Sequence, residues 1–148
     1  MIVLETLRLW PPVIAIDREC VKPYVIEPEN KNELPIHLKK GEAVWLSILG
    51  FHRDKKYYAN PDEFDPERFS DENKNKIDPY TYMPFGVGPR NCIGSRFALL
   101  EAKILCYHLL SKFSLVTTSK TPVEIKFKMV STNIQPKDGF WVGLKGRF

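Results

Sequence analysis

Long hydrophobic runs are missing from this sequence. No apolar stretch in its 148 residues reaches the roughly 18 to 20 that a membrane-spanning helix needs, and no stretch reads as a secretory leader. Cysteine is scarce. Cys20, Cys92 and Cys106 form no CxxC pair and are odd in number, which argues against a disulfide framework and for a reducing compartment. Charge of one sign is also in short supply: a net charge of +4 with 27% charged residues does not suggest nucleic acid, although it suits a positive patch facing an acidic partner. Internal repeats and low-complexity tracts are absent. What remains is ordinary globular composition, 43% hydrophobic, at a length that can bury one core.

The opening residues "IVLETLRLWPP" read as a helix from Ile2 to Trp10, stopped by Pro11 and Pro12. No Ser, Thr, Asp or Asn caps its start, so the helix begins already in progress. The expectation is that Met1 is an internal methionine of a longer protein. From Val13 to Leu49 the runs "VIAI", "YVI", "LPIHL" and "AVWLSIL" predict a small sheet, with a hairpin turning at Lys40 and Gly41. From His52 to Tyr82 periodicity fades among Pro61, Pro66 and Pro79. Such a segment is ordered by side chains more than by backbone ladders, and long irregular stretches are usually functional. "SRFALLEAKILCYHLLSKFSL" is apolar on nearly every face and predicts a long, largely buried helix. In the tail, "VEIKFKMV" and "GFWVGL" read as two strands joined by a turn around Pro136 to Gly139.

The chemistry concentrates in "MPFGVGPRNCIG", Met83 to Gly94. A cysteine just ahead of a helix lies where free amides and the positive dipole end favour a thiolate. Gly86, Gly88 and Gly94 let the backbone turn tightly and approach something flat. Arg90 offers a fork of donors suited to a carboxylate. A phosphate-binding loop would end in GK[ST], and this one ends in a thiol. A catalytic cysteine would want a histidine base, but His37, His52 and His108 sit in no recognisable catalytic motif. A plain turn into a helix explains the glycines but not the spacing of Arg90 and Cys92. Cys20 and Cys106 read as small buried hydrophobes. The "HRD" at His52 to Asp54 lacks the downstream Asn and DFG of a kinase and reads as structural.

"FGVGPRNCIG" resembles the FxxGxRxCxG signature of the haem-thiolate monooxygenases, the cytochrome P450 family, at Phe85, Gly88, Arg90, Cys92 and Gly94. Two further motifs occur in the family's order. "ETLR" places Glu5 and Arg8 on one helix face, and "FDPERF" supplies Arg68 as the third member of a Glu-Arg-Arg triad. The resemblance implies that Cys92 is the axial ligand of haem iron, that Arg90 pairs with a propionate, that Phe85 packs near the sulfur and that Gly86 belongs to the haem-binding loop. It implies an architectural role for the triad, pinning the irregular segment to the helix by charge-assisted bonds. It also places Val13, Ile14 and Ala15, together with a turn near Met129 to Ile134, beside the substrate pocket; the first three read equally as sheet core.

The fold so implied is mainly α with small β-sheets. It is the carboxyl-terminal part of a cytochrome P450 domain over residues 1–148: ExxR helix, small sheet, irregular meander, cysteine loop, long buried helix and terminal hairpin. The implied activity is insertion of one oxygen atom from O2 into a small lipophilic substrate, with haem b as cofactor. Electrons from NADPH would arrive through a flavoprotein reductase at the endoplasmic reticulum, on the cytosolic face. Lys74, Lys76, Arg96 and Lys103 could make a basic surface for that reductase, or be ordinary solvated charge. The upstream membrane anchor and the central oxygen-activating helix of complete members have no counterpart in these residues. The 148-residue chain is therefore expected to be an inactive truncated fragment or a haem-binding remnant. A haem-thiolate isomerase or dehydratase is the other enzymatic alternative, disfavoured by a cysteine loop with no insertion.

Overall fold

Glu5, Arg8 and Leu9 share one side of helix α1 (Ile2–Leu9) and are buried there, because residues three and four apart stack on one helix face. The helix stops one residue earlier than expected. Trp10 already leaves helical geometry while its N–H still reaches the carbonyl of Thr6, and the prolines behind it prevent another turn. This computed structural model describes residues 1–147.

Strand β1 (Ala15–Glu19) pairs antiparallel with β4 (Ala43–Ser47), from Ala15 opposite Ser47 to Glu19 opposite Ala43. Between them β2 (Tyr24–Ile26) and β3 (Ile36–Leu38) pair with each other. The expected hairpin at Lys40 and Gly41 is therefore not formed. Gly41 does turn the chain at φ +88°, but its N–H donates to the carbonyl of Cys20, whose own N–H donates to Glu42. The turn thus lengthens the β1–β4 ladder instead of joining β3 to β4.

The run "AVWLSIL" divides at Ser47. Its hydroxyl accepts the N–H of Gly50 at 3.0 Å and opens a short helix, α2 (Ile48–His52), a cap that the strand reading overlooked. This turn carries Ile48 and His52 into the core, whose other buried members include Leu9, Tyr58, Phe69 and Met83. The irregular segment that follows contains 3₁₀ turns at Pro66–Phe69 and Lys74–Lys76, the first capped by the Asp65 carboxylate.

Helix α3 (Ser95–Lys112) ends three residues short of the expected run, whose Phe113 to Leu115 enter the strand that follows, and it lacks the expected burial, since none of its residues is buried. Ala98, Leu99, Ala102 and Leu109 are half-buried on one side, while Phe97, Leu100, Leu105 and Tyr107 are more than half exposed. An all-round apolar helix needs packing on every side, and the described residues supply it on one. In the tail, β5 (Phe113–Val116) runs on from α3 and pairs with β8 (Gly143–Gly146). β6 (Phe127–Val130) and β7 (Asn133–Pro136) form a hairpin around Ser131 and Thr132. The turn near Pro136 to Gly139 is therefore not where the terminal strands pair with each other. The sequence reading passed over β7, whose last residue is a proline, normally a strand breaker. Among the described residues helix and strand contribute similar shares, so this stretch is not mainly α. No described helix is long and apolar enough to cross a membrane.

Candidate functional site

The site grows from a buried ionic knot on α1. Arg8 Nε and Nη2 donate to the two carboxylate oxygens of Glu5, both at 2.8 Å. Its remaining donors reach backbone carbonyls across the core: Nη1 to His52 at 2.6 Å and Pro61 at 2.7 Å, and Nη2 to Glu63 at 3.1 Å. Glu5 Oε1 also accepts the N–H of Asp65 at 2.9 Å. Both side chains are fully buried, so the pair is tolerable only because it is bidentate and its remaining valences are filled. Arg68 is brought to the same carboxylate but sits further out, with Nε 3.6 Å from Glu5 Oε1, and is tied mainly by Nη2 to the carbonyl of Asn60 at 3.0 Å. The three residues that the sequence grouped are thus together, with Arg68 as the looser member.

The knot continues toward the loop through aromatic and imidazole groups. Three consecutive residues ahead of the loop are each held from the core side. The hydroxyl of Tyr58 donates to the carbonyl of Thr81, and that of Tyr82 donates to the carbonyl of Leu4. The N–H of Met83 donates to Nε2 of His52 at 3.0 Å. Burial pushes both tyrosine hydroxyls up from their ordinary range and pulls the His52 ring down to about 4, so all three are neutral at physiological pH.

Past Pro84 the chain reaches the surface. Gly86 at φ +74° and Gly88 at φ +76° shape the loop, and Gly88–Arg90 is a 3₁₀ turn. Cys92 donates its N–H to the carbonyl of Phe85 at 2.8 Å, and Gly94 caps α3. The Cys92 thiol and Arg90 are exposed. Both line a hollow of ≈ 380 Å³ whose other walls include Val13, Ile16, Phe85 and Gly86. The resemblance nominated Val13, Ile14 and Ala15 for this wall, and only Val13 takes part. Ile14 N–H instead bonds the carbonyl of Thr132, and Val13 bridges to Asn133, which seats the tip of the β6–β7 hairpin beside the hollow. Along β1 it is Ile16 and Arg18 that face inward, as the two-residue period of a strand requires.

Arg18 is the residue that sequence reasoning missed. Its only signal is its place two residues after Ile16 on a strand next to a candidate pocket. Cys20 is half-buried and Cys106 is exposed, so neither is the buried hydrophobe expected; Cys20 Sγ donates to the carbonyl of Lys22 at the end of the β1 ladder, and Cys106 is exposed although it shares a helix stripe with Leu99, Ala102 and Leu109. Lys74 and Lys76 share a 3₁₀ turn, with Lys74 paired to Asp71, while Arg96 and Lys103 are on α3.

These residues fit a haem. An exposed thiol offers one soft axial bond, the apolar walls suit a flat hydrophobic ring, and two guanidinium forks on the wall suit two carboxylates. Among the described residues no cluster of three His, Cys, Asp or Glu side chains could hold a bare metal ion.

Comparison with known proteins agrees with this chemistry. A family model described as Cytochrome P450 matches residues 1–141. The chain is 54% identical over 147 residues to "Cytochrome P450 9e2" of Blattella germanica, covering 99% of this chain and 27% of that protein. It is 49% identical over 146 residues to "Probable cytochrome P450 9f2" of Drosophila melanogaster, covering 99% and 28%. It is 47% identical over 126 residues to "Cytochrome P450 3A17" of Cavia porcellus, covering 85% and 24%. The chain thus spans about a quarter of the length of these relatives. With a family match running through the ExxR helix and the cysteine loop alike, the chain belongs to the cytochrome P450 family.

Proposed function

We propose that this chain forms the thiolate-donating, haem-holding side of a monooxygenase that inserts one oxygen atom from O2 into a small lipophilic substrate. The observation that carries the reading is the exposed Cys92 thiol at an apolar hollow flanked by Arg90 and Arg18. When bound, haem b supplies oxygen binding and activation, and a thiolate ligand raises electron density at its iron in the way that favours O–O cleavage. The chain's own residues do the rest. Cys92 would hold the haem iron through its thiolate. Arg90 and Arg18 would orient the two propionates by charge-assisted bonds. Gly86 keeps the loop backbone free of side chain where a flat ring would lie, and Phe85 holds the cysteine in place through its carbonyl, which accepts the Cys92 N–H. Val13 and Ile16 provide apolar contact for the ring and its lipophilic substrate.

Two electrons and two protons complete the balance, so that O2 and a C–H bond yield an alcohol and water. Their source in this proposal is NADPH through a flavoprotein reductase docking on basic residues such as Lys74, Lys76, Arg96 and Lys103 at the endoplasmic reticulum membrane. For the 148-residue chain by itself, the exposed thiol and the uncovered face of α3 favour haem binding without turnover.

The test is to add haem to the purified chain, reduce it and bind carbon monoxide. A strongly red-shifted Soret band that disappears in Cys92→Ser is the expected result. Haem that fails to bind, or a spectrum unchanged by Cys92→Ser, overturns the assignment.

A further inference from the structure

Two buried backbone groups on different elements meet one imidazole. His52 Nδ1 lies 3.0 Å from the carbonyl of Arg8, and Nε2 lies 3.0 Å from the amide nitrogen of Met83. Because Met83 can only donate, Nε2 carries no proton, and Nδ1–H must be the donor to Arg8. We infer that His52 is a positioning residue for Cys92, a rigid strut that sets the root of the cysteine loop against the Glu5–Arg8 knot. The inference rests on the haem-thiolate reading of Cys92 given above.

The hydrogen bonds form a continuous path. Arg8 Nη1 donates to the carbonyl of His52, while the His52 ring donates to the carbonyl of Arg8, so the two residues clasp each other reciprocally. From the ring the path enters Met83 at its N–H. The carbonyl of Met83 then accepts the N–H of Gly86 at 2.9 Å, and the carbonyl of Phe85 accepts the N–H of Cys92 at 2.8 Å. The ring cannot swing, because it stacks on Tyr82 with centroids 5.4 Å apart at 23° and is wholly buried. A planar ring with its two polar atoms engaged fixes both the distance and the angle between α1 and the loop. A side chain that merely filled the core would fix neither.

Two substitutions separate these roles. The amide of His52→Gln offers a donor and an acceptor at nearly the same separation as the two ring nitrogens, whereas His52→Phe fills the space and stacks but bonds to nothing. Amide hydrogen exchange on the chain without haem is expected to quicken roughly tenfold or more in His52→Phe at Met83, whose N–H loses its buried acceptor, and to quicken with it at Gly86 and Cys92, which hang from Met83 along the loop. His52→Gln should stay near wild type, and amides of the β1–β4 ladder should change little in either variant. In haem-loaded protein the thiolate signature of the carbonyl complex should be lost with Phe and kept with Gln. Equal exchange at Gly86 and Cys92 in wild type and His52→Phe, or a loss of protection as large in the β1–β4 ladder as in the loop, overturns the proposal. Should His52→Phe not fold, nitrogen NMR of the wild-type ring decides, because a protonated Nε2 is incompatible with the strut. Exchange and NMR need no haem, so a wild type lacking the thiolate spectrum counts against the haem reading and not against this one.

Discussion

Arg8 has five N–H donors, and each has an acceptor: two on Glu5 and three on backbone carbonyls of residues 44 to 55 positions away. Only a planar guanidinium offers that fork, so lysine is no substitute here. The neighbouring His52 adds a dependence on pH. Burial is the main cause of its lowered pKa, from 6.5 to about 4, with the Arg8 charge acting in the same direction and the bond to the Arg8 carbonyl opposing it. The unfolded chain takes up this proton near pH 6.5, whereas the folded chain resists until about pH 4. Between those values the unfolded state binds more protons, so stability falls as pH falls, by on the order of 3 kcal/mol across the window. Above pH 6.5 the contribution is complete. Denaturant midpoints measured from pH 7 to 4 should therefore drop more steeply in wild type than in His52→Gln; parallel curves would show that the ring does not titrate this way. The "ETLR" spacing made the Glu5–Arg8 pair legible in advance, and "PERF" did the same for Arg68. The carbonyl partners were not legible, because backbone oxygens carry no sequence signature. His52 could be read as structural but not as the link to the loop, since its partner Met83 lies 31 residues away.

The glycines of the cysteine loop divide into two kinds. Gly86 and Gly88 sit at positive φ, and an added Cβ would find ordinary contacts at the first and open space at the second. Their cost on substitution is thus backbone strain, about 1–2 kcal/mol each for alanine. Gly94 has φ −87°, ordinary for any residue, and a Cβ there would lie 3.9 Å from Cys92 Sγ. Gly86→Ala and Gly88→Ala are expected to lower the unfolding free energy by that amount, while Gly94→Ala costs only the exchange of a glycine helix cap for alanine, about 0.5 kcal/mol. A loss at Gly94 matching that at Gly88 would refute the division. The cysteine loop stood out in the sequence because a thiol, an arginine and three glycines in one short run form a chemical pattern of side-chain types. Strand pairing was less legible: Lys40 and Gly41 do mark a turn, but local sequence does not say which strand the turn will serve. Long-range pairing of β1 with β4 took precedence over adjacency, just as the Ser47 cap took precedence over the β-propensity of "AVWLSIL".

Across this chain, the feature that matters most is the uncovered side of α3. Phe97 is 70% exposed, Leu100 56%, Leu105 66% and Tyr107 71%, and Phe97, Leu100, Ile104 and Leu105 border a hollow of ≈ 400 Å³. The hydrophobic pattern of the sequence predicted a buried helix because pattern reports what a helix can bury, not whether a partner is at hand. Continuous apolar surface of this kind drives association. The chain should therefore self-associate at micromolar concentration and bind hydrophobic dyes. Changing Phe97 and Leu105 together to Glu should shift sedimentation toward monomer and reduce dye binding. Because neither side chain is packed inside the chain, the double change should alter unfolding free energy by no more than about 1 kcal/mol. A loss of several kcal/mol would mean that other parts of this chain cover the face in solution. Unchanged association would place the sticky surface elsewhere, with the exposed aromatics Phe140 and Trp141 of the tail as the next residues to change.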